Sequence, residues 1–161
     1  MYVKQKVKAL LLYFFGFIAV GASLALIIWF ISILRLRTEY REFCLEVNDV
    51  ILATDSDQRR IRRGEEEYPL SSEAMNYYDQ LLLASGVTVV SREEVEPNNR
   101  SIVLILGENR LTFTNVEKDG SLINLRWEAP GETRSYHVRS SQTSFMSIAS
   151  YFSNYARRVG S

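Results

Sequence analysis

The sequence predicts an α+β protein: an N-terminal single transmembrane helix, then an antiparallel β-meander of four or five strands packed on amphipathic helices. Three observations predict it. Positions 10–34 run for 25 residues without a charge. Between Leu111 and Val138 apolar and polar residues alternate with the period of strands. Two segments, beginning at Ser72 and Ser141, carry apolar residues three and four apart, the period of a helix.

A bilayer's hydrocarbon core, about 30 Å thick, takes roughly 20 apolar residues as a helix. In lipid only a helix or a closed barrel satisfies the backbone, so one uninterrupted segment means one helix. Ser23 and Ala25 resemble a signal-peptide cleavage site, but Leu26–Leu34 continues as apolar chain, as an uncleaved signal anchor does. The chain divides into a short basic tail (1–8), the transmembrane helix (9–34), a juxtamembrane helix and linker (35–58) and a soluble α+β domain (59–161). Lys4, Lys6 and Lys8 precede the span and Arg35, Arg37 and Arg41 follow it, a near balance of topology signals. The very short tail favours a cytoplasmic N-terminus and an extracytoplasmic C-terminal domain.

No glycine occurs between Gly21 and Gly64, and no proline before Pro69, so nothing stops the helix at Leu34. Leu36, Tyr40, Phe43, Val47 and Val50 recur at helical spacing, and Cys44 and Ile51 widen them into a core-facing stripe. With Ile33 the same residues fit a and d positions of a parallel coiled coil, though Tyr and Phe suit such a seam poorly. Packing on the protein's own sheet is the expectation, with Cys44 a buried thiol. Ala19–Ser23 and Gly21–Ala25 are small pairs four apart, which would allow a homodimer through the transmembrane and juxtamembrane helix.

Asp55–Tyr68 is charged and irregular. Arg59–Arg63 reads RRIRR, which suggests lipid phosphate binding or resembles a furin-type processing site. The expectation is a solvated hairpin in which these positive charges face Glu65, Glu66 and Glu67. Ser72 is placed as the cap of the next helix, with Ala74, Tyr78, Leu81 and Leu82 on its inner face and Gly86 after its end. Val87–Val90 reads as a short strand, and EEVEPNN then breaks the chain. Asn99-Arg100-Ser101 is a glycosylation sequon.

Ile102–Leu106 is continuously apolar, as in a strand covered on both faces. A three-residue loop, Lys118-Asp119-Gly120 with Gly120 left-handed, puts Leu111 opposite Trp127 and Phe113 opposite Leu125. A slip of one residue would invert every face, so the apolar pairing fixes this register. A four-residue loop, Ala129–Glu132, likewise pairs Leu125 with Tyr136 and Ile123 with Val138. Ser141 is placed as the cap of a final helix presenting Phe145, Ile148, Phe152 and Tyr155 or Ala156, with Arg157 and Arg158 in its last turn and Gly160 after it. One sheet face is expected under helices and the other wet, an α+β layer arrangement.

The chemistry is sparse. Nineteen basic against nineteen acidic residues leave no basic footprint for nucleic acid. The single cysteine excludes an intramolecular disulfide, and no cofactor or metal is expected. No phosphate-binding glycine loop and no nucleophile elbow occurs. His137 lies on the polar strand face with no fixed nucleophile beside it. Glu93, Glu94 and Glu96 would be the acids of a membrane-anchored hydrolase, the alternative reading, but sit in a loop before Pro97.

The outline of a long N-terminal helix, half in the membrane, then a loop and an antiparallel meander is similar to that of type IV pilins, with Gly16-Phe17 at the processing junction. The apolar run here begins well before Gly16, Gly21 stands where pilins carry glutamate, and the C-terminal helix is extra. The chain is not assigned to that family.

The resulting expectation is a single-pass, membrane-anchored binding or assembly module, an accessory subunit of a membrane or envelope complex without catalytic activity. Its partners are the lipid bilayer and proteins of that complex, or a second copy in a homo-oligomeric stalk. The candidate binding surface is the polar sheet face: Thr112, Thr114, Asn124, Arg126, Ser135, His137 and Arg139.

Overall fold

A computed structural model describes residues 2–83 and 86–159, without the side chains of 2–12 and 79–83. The expectations placed on Lys4, Lys6, Lys8 and Gly160, and on inward-facing Leu81 and Leu82, fall outside these described residues. The chain forms two compact units, Met1–Thr38 and Glu39–Ser161.

Helix α1 spans Tyr2–Ala53. Within the first unit Phe14, Phe17, Leu26, Trp29 and Phe30 are all exposed. From Tyr13 onward the helix is long and apolar enough to cross a membrane, with a mean hydropathy reaching 2.6. Its few hydroxyls are satisfied within the helix: Ser23 Oγ donates to Ala19 O (2.8 Å) and Ser32 Oγ to Ile28 O (2.9 Å). Such back-bonding satisfies these two serine hydroxyls inside an apolar stretch.

The second unit begins with the last turns of α1. Tyr40, Phe43, Cys44, Val47 and Ile51 are buried, while Val50 is half-buried. After a short 3-10 turn (Ser56–Gln58) come β1 (Arg59–Arg63), β2 (Glu66–Pro69), α2 (Ser72–Leu83), β3 (Val87–Ser91), β4 (Ile102–Leu106), β5 (Asn109–Asn115), β6 (Leu122–Ala129), β7 (Glu132–Ser140) and α3 (Phe145–Val159). All strands join one antiparallel sheet in the order β2-β1-β4-β5-β6-β7-β3.

Seven strands replace the expected four or five. The additional pair, β1 and β2, comes from the charged stretch read as irregular. Only one side chain of β1, Ile61, is fully buried, so apolar alternation could not announce it. The hairpin does set opposite charges across from each other, Arg62 opposite Glu67 and Arg63 opposite Glu66.

The meander follows the apolar pairing. Leu111 stands opposite Trp127, Phe113 opposite Leu125, Leu125 opposite Tyr136 and Ile123 opposite Val138. Gly120 adopts φ +75°, and its N–H donates to Glu117 O (2.9 Å), closing the three-residue loop. The next turn is tighter than expected: pairing extends to Ala129 and Glu132, leaving only Pro130-Gly131. Two helix caps also shift. Ser71, not Ser72, accepts from the N–H of Ala74 through its Oγ (3.2 Å). Ser144, not Ser141, does so for Ser147 (3.3 Å), so α3 starts at Phe145. Phe145, Ile148, Ala149, Phe152 and Tyr155 are its buried residues.

Ring contacts connect the helices to the sheet. Phe43 and Tyr40 of α1 meet Tyr136 of β7, with centroids 4.8 and 5.5 Å away, and Tyr78 of α2 meets Phe113 of β5 at 5.7 Å. Tyr77 and Tyr151 stack at 3.9 Å between α2 and α3. Burial raises the Tyr40 and Tyr78 phenols well above their ordinary pKa.

The strand order has one further consequence. β3 is an edge strand beside β7, and the next strand, β4, lies beyond β7, β6 and β5. Four strand spacings make about 19 Å. Residues 92–101, which reach roughly 33 Å when extended, cross this distance as an irregular strap without a helix or strand.

Candidate functional site

The strap crosses the polar side of the meander, where the sequence placed its binding surface. The expected wet face is therefore largely covered: Thr112, Thr114, Asn124 and His137 are buried. Arg126 and Ser135 are half-buried, and Arg139 is exposed. Strand alternation does bring all seven residues to one face, because Thr112 pairs with Arg126, Thr114 with Asn124, Asn124 with His137, and Arg126 with Ser135.

Donors on the sheet meet acceptors on the strap. The carbonyl oxygen of Glu93 accepts from Asn124 Nδ2 and from Ser135 Oγ, each at 3.0 Å. Asn124 Nδ2 also donates to Ser135 Oγ (2.7 Å). Arg126 Nη1 lies 3.1 Å from both Glu94 Oε1 and Glu96 Oε1, while its Nε donates to Glu128 Oε1 (3.0 Å). Burial works against the Arg126 charge, but the hydrogen bond and charge of Glu96, with Glu128 and Glu94, outweigh it and hold the guanidinium above its ordinary pKa. His137 Nδ1 stands 3.5 Å from Glu93 Oε2. At the far end Ser101 Oγ bonds Thr114 Oγ1 (2.8 Å) and accepts from the Asn98 N–H (3.0 Å). Arg139 instead reaches Glu117 (3.1 Å).

The fastening is polar almost throughout. Val95 is only half-buried and Pro97 is exposed, so little apolar area holds the strap down. Glu94 and Glu96 are largely exposed, and ion pairs of such residues contribute about 0–1 kcal/mol each. Beneath the strap, Asn124 Oδ1, His137 Nε2 and Ser91 Oγ are buried without a hydrogen-bond partner among the described residues. These three residues are neighbours in the ladder, Asn124 paired with His137 and His137 with Ser91.

A cleft of about 330 Å³ opens beside the strap, lined by Arg92, Glu94 and the consecutive residues Thr133, Arg134, Ser135 and Tyr136. The tight turn makes Ala129–Glu132 a hydrogen-bonded pair, so the alternating ladder turns the backbone groups of Thr133, Ser135, His137 and Arg139 away from β6. β3 covers His137 and Arg139 and then ends at Ser91, leaving the edge at Thr133 and Ser135 uncovered by a strand. The cleft's arginines are engaged: Arg92 pairs with Glu39 and Arg134 with Glu46 of α1 (2.6 Å) and with Glu132 (2.9 Å).

Of the acids of the alternative hydrolase reading, Glu94 and Glu96 converge on the Arg126 guanidinium and Glu93 stands beside His137. Among the described residues, no three His, Cys, Asp or Glu side chains gather as a metal-binding group. The strap's contribution was missed by sequence reasoning, which treated the loop as a break. The available signal was its alternation of carboxylates, Glu94 and Glu96, against the arginines of the polar face. Comparisons with protein-family models, with curated proteins and with solved structures find no match.

Proposed function

We propose that the chain is a single-pass, membrane-anchored binding and assembly module, an accessory subunit of a membrane or envelope complex without catalytic activity of its own. The observation that carries this reading is the gathering of hydrogen-bond donors on one sheet face, Asn124, Arg126 and Ser135, around backbone and carboxylate acceptors. That is the chemistry of recognition. The exposed apolar helix supports the anchor, since its backbone and the hydroxyls of Ser23 and Ser32 are satisfied internally. The reading includes a cytoplasmic N-terminus, with Lys4, Lys6 and Lys8 ahead of the span, and an extracytoplasmic domain. Exposed small residues at Ala19, Gly21, Ser23 and Ala25 support a homodimer through the membrane helix.

Two experiments test this reading. In a Cys44→Ser, Asp119→Cys chain, a membrane-impermeant maleimide should label the loop at position 119 in intact cells. Labelling only after lysis would reverse the orientation, and recovery of the chain in the soluble fraction would remove the anchor. Replacing Arg126 and Arg139 together by alanine should change the set of proteins that co-purify with the chain from membranes. An unchanged set would discard the polar face as the docking surface.

A further inference from the structure

The strap meets three donors of the sheet face and leaves buried polar atoms beside them without a partner among the described residues. Asn124 Nδ2, Ser135 Oγ and Arg126 Nη1 each find an oxygen on residues 93–96. Asn124 Oδ1 and His137 Nε2, on residues that are almost wholly buried, find nothing. A cover selected for burial alone would carry apolar side chains on its inner surface, whereas this one presents a carbonyl followed by carboxylates one and three residues later. With a reach well beyond the distance it crosses, the strap also has the slack to lift while β3 and β4 stay paired.

We infer that this face is a receptor for an extended acidic segment of a partner protein, and that residues 92–101 are its resident internal occupant. The inference rests on the binding-module reading and adds the chemistry of the partner. The segment presents a backbone carbonyl to Asn124 and Ser135, then carboxylates two residues apart to Arg126, as Glu94 and Glu96 do. Its own backbone groups meet Asn124 Oδ1 and His137 Nε2, the buried polar atoms that the strap leaves open, which is what lets it displace a tethered competitor. Charge complementarity selects an acidic occupant over a basic or apolar one, because Arg126 loses two of its three carboxylates, Glu94 and Glu96, when the strap lifts and keeps only Glu128, while Arg139 stays paired with Glu117.

The probe is a fluorescent decapeptide with the sequence of residues 92–101, added to the purified full chain in detergent micelles. In a Glu94→Gln, Glu96→Gln chain the resident strap loses its hold on Arg126 while the sheet face is untouched. Amide exchange over 92–98 should then accelerate, and the peptide should bind at least ten times more tightly than to the unaltered chain. Adding Arg126→Gln should abolish that gain, and a scrambled peptide of equal composition should not reproduce it. Exchange that accelerates without peptide binding, equal binding of the scrambled peptide, or exchange that does not change would each overturn the inference. Because the assay uses no natural partner, its failure counts against the receptor face alone. Failure of the binding-module reading shows separately, as a chain that brings no proteins with it from membranes.

Discussion

The ring of Phe43 lies 4.8 Å from that of Tyr136, tilted by 42°. This contact fastens the end of α1 to β7, and Tyr40 adds a second ring against the same tyrosine. Phe43 is fully buried, and truncating such a ring removes about 3–5 kcal/mol. Phe43→Ala should therefore lower the denaturant midpoint of the C-terminal unit sharply in the full chain, followed by near-ultraviolet circular dichroism. An unchanged midpoint would mean that α1 does not support the sheet.

Gly120 occupies a left-handed backbone position, and a Cβ there would stand 3.3 Å from Met146 Cγ. Its carbonyl also accepts the N–H of Phe145, so the loop and the start of α3 are joined. Gly120→Ala should cost about 1–2 kcal/mol of stability. Thermal unfolding of the variant checks this, with Gly131→Ala as a comparison site where the added methyl meets no neighbour.

The meander was legible because Leu111, Phe113, Leu125, Trp127, Tyr136 and Val138 admit only one pairing that buries them together. β1 was legible as one arm of a charged hairpin but not as an inner strand of the sheet, since four of its five residues are arginines and its burial rests on Ile61 alone. The seven candidate residues were rightly gathered on one face by alternation. Their covering was illegible, because nothing local in residues 92–101 states that the following strand lies on the far side of three others. Strand order is a property of long-range pairing, here Val89 with Val138, and a single sequence carries it only in apolar content too brief to choose a neighbour.

Asp119 Oδ1 accepts the N–H of Ser121 (2.9 Å), and this bond, first among its causes, lowers the carboxyl's pKa. A depressed folded-state pKa contributes stability above the unfolded value, and that contribution is lost as pH falls through the folded value. Asp119→Asn keeps the acceptor oxygen but cannot titrate. Compared with the variant, the unaltered chain should lose stability more steeply below about pH 4. Parallel slopes in acid unfolding of the two chains would contradict the assignment.

Cys44 carries no disulfide and lies inside the core of its own chain, 2% exposed. It should resist thiol reagents in the folded protein, react fully in denaturant, and give no Cys44–Cys44 crosslink on mild oxidation. A rapid crosslink would instead place this stripe between two copies, as the stalk alternative requires.

The far-edge position of β3 dictates an order of assembly. The hairpins of β4 through β7 close over a few residues, but Val89 must find Val138 roughly fifty positions later, which by loop closure alone is about 2 kcal/mol less favourable than a five-residue turn. During synthesis β3 waits, unpaired, until β7 has been made. The strap can be drawn across the polar face only after that pairing. What is laid last over the sheet is also the layer that can be peeled back without opening a single hairpin beneath it.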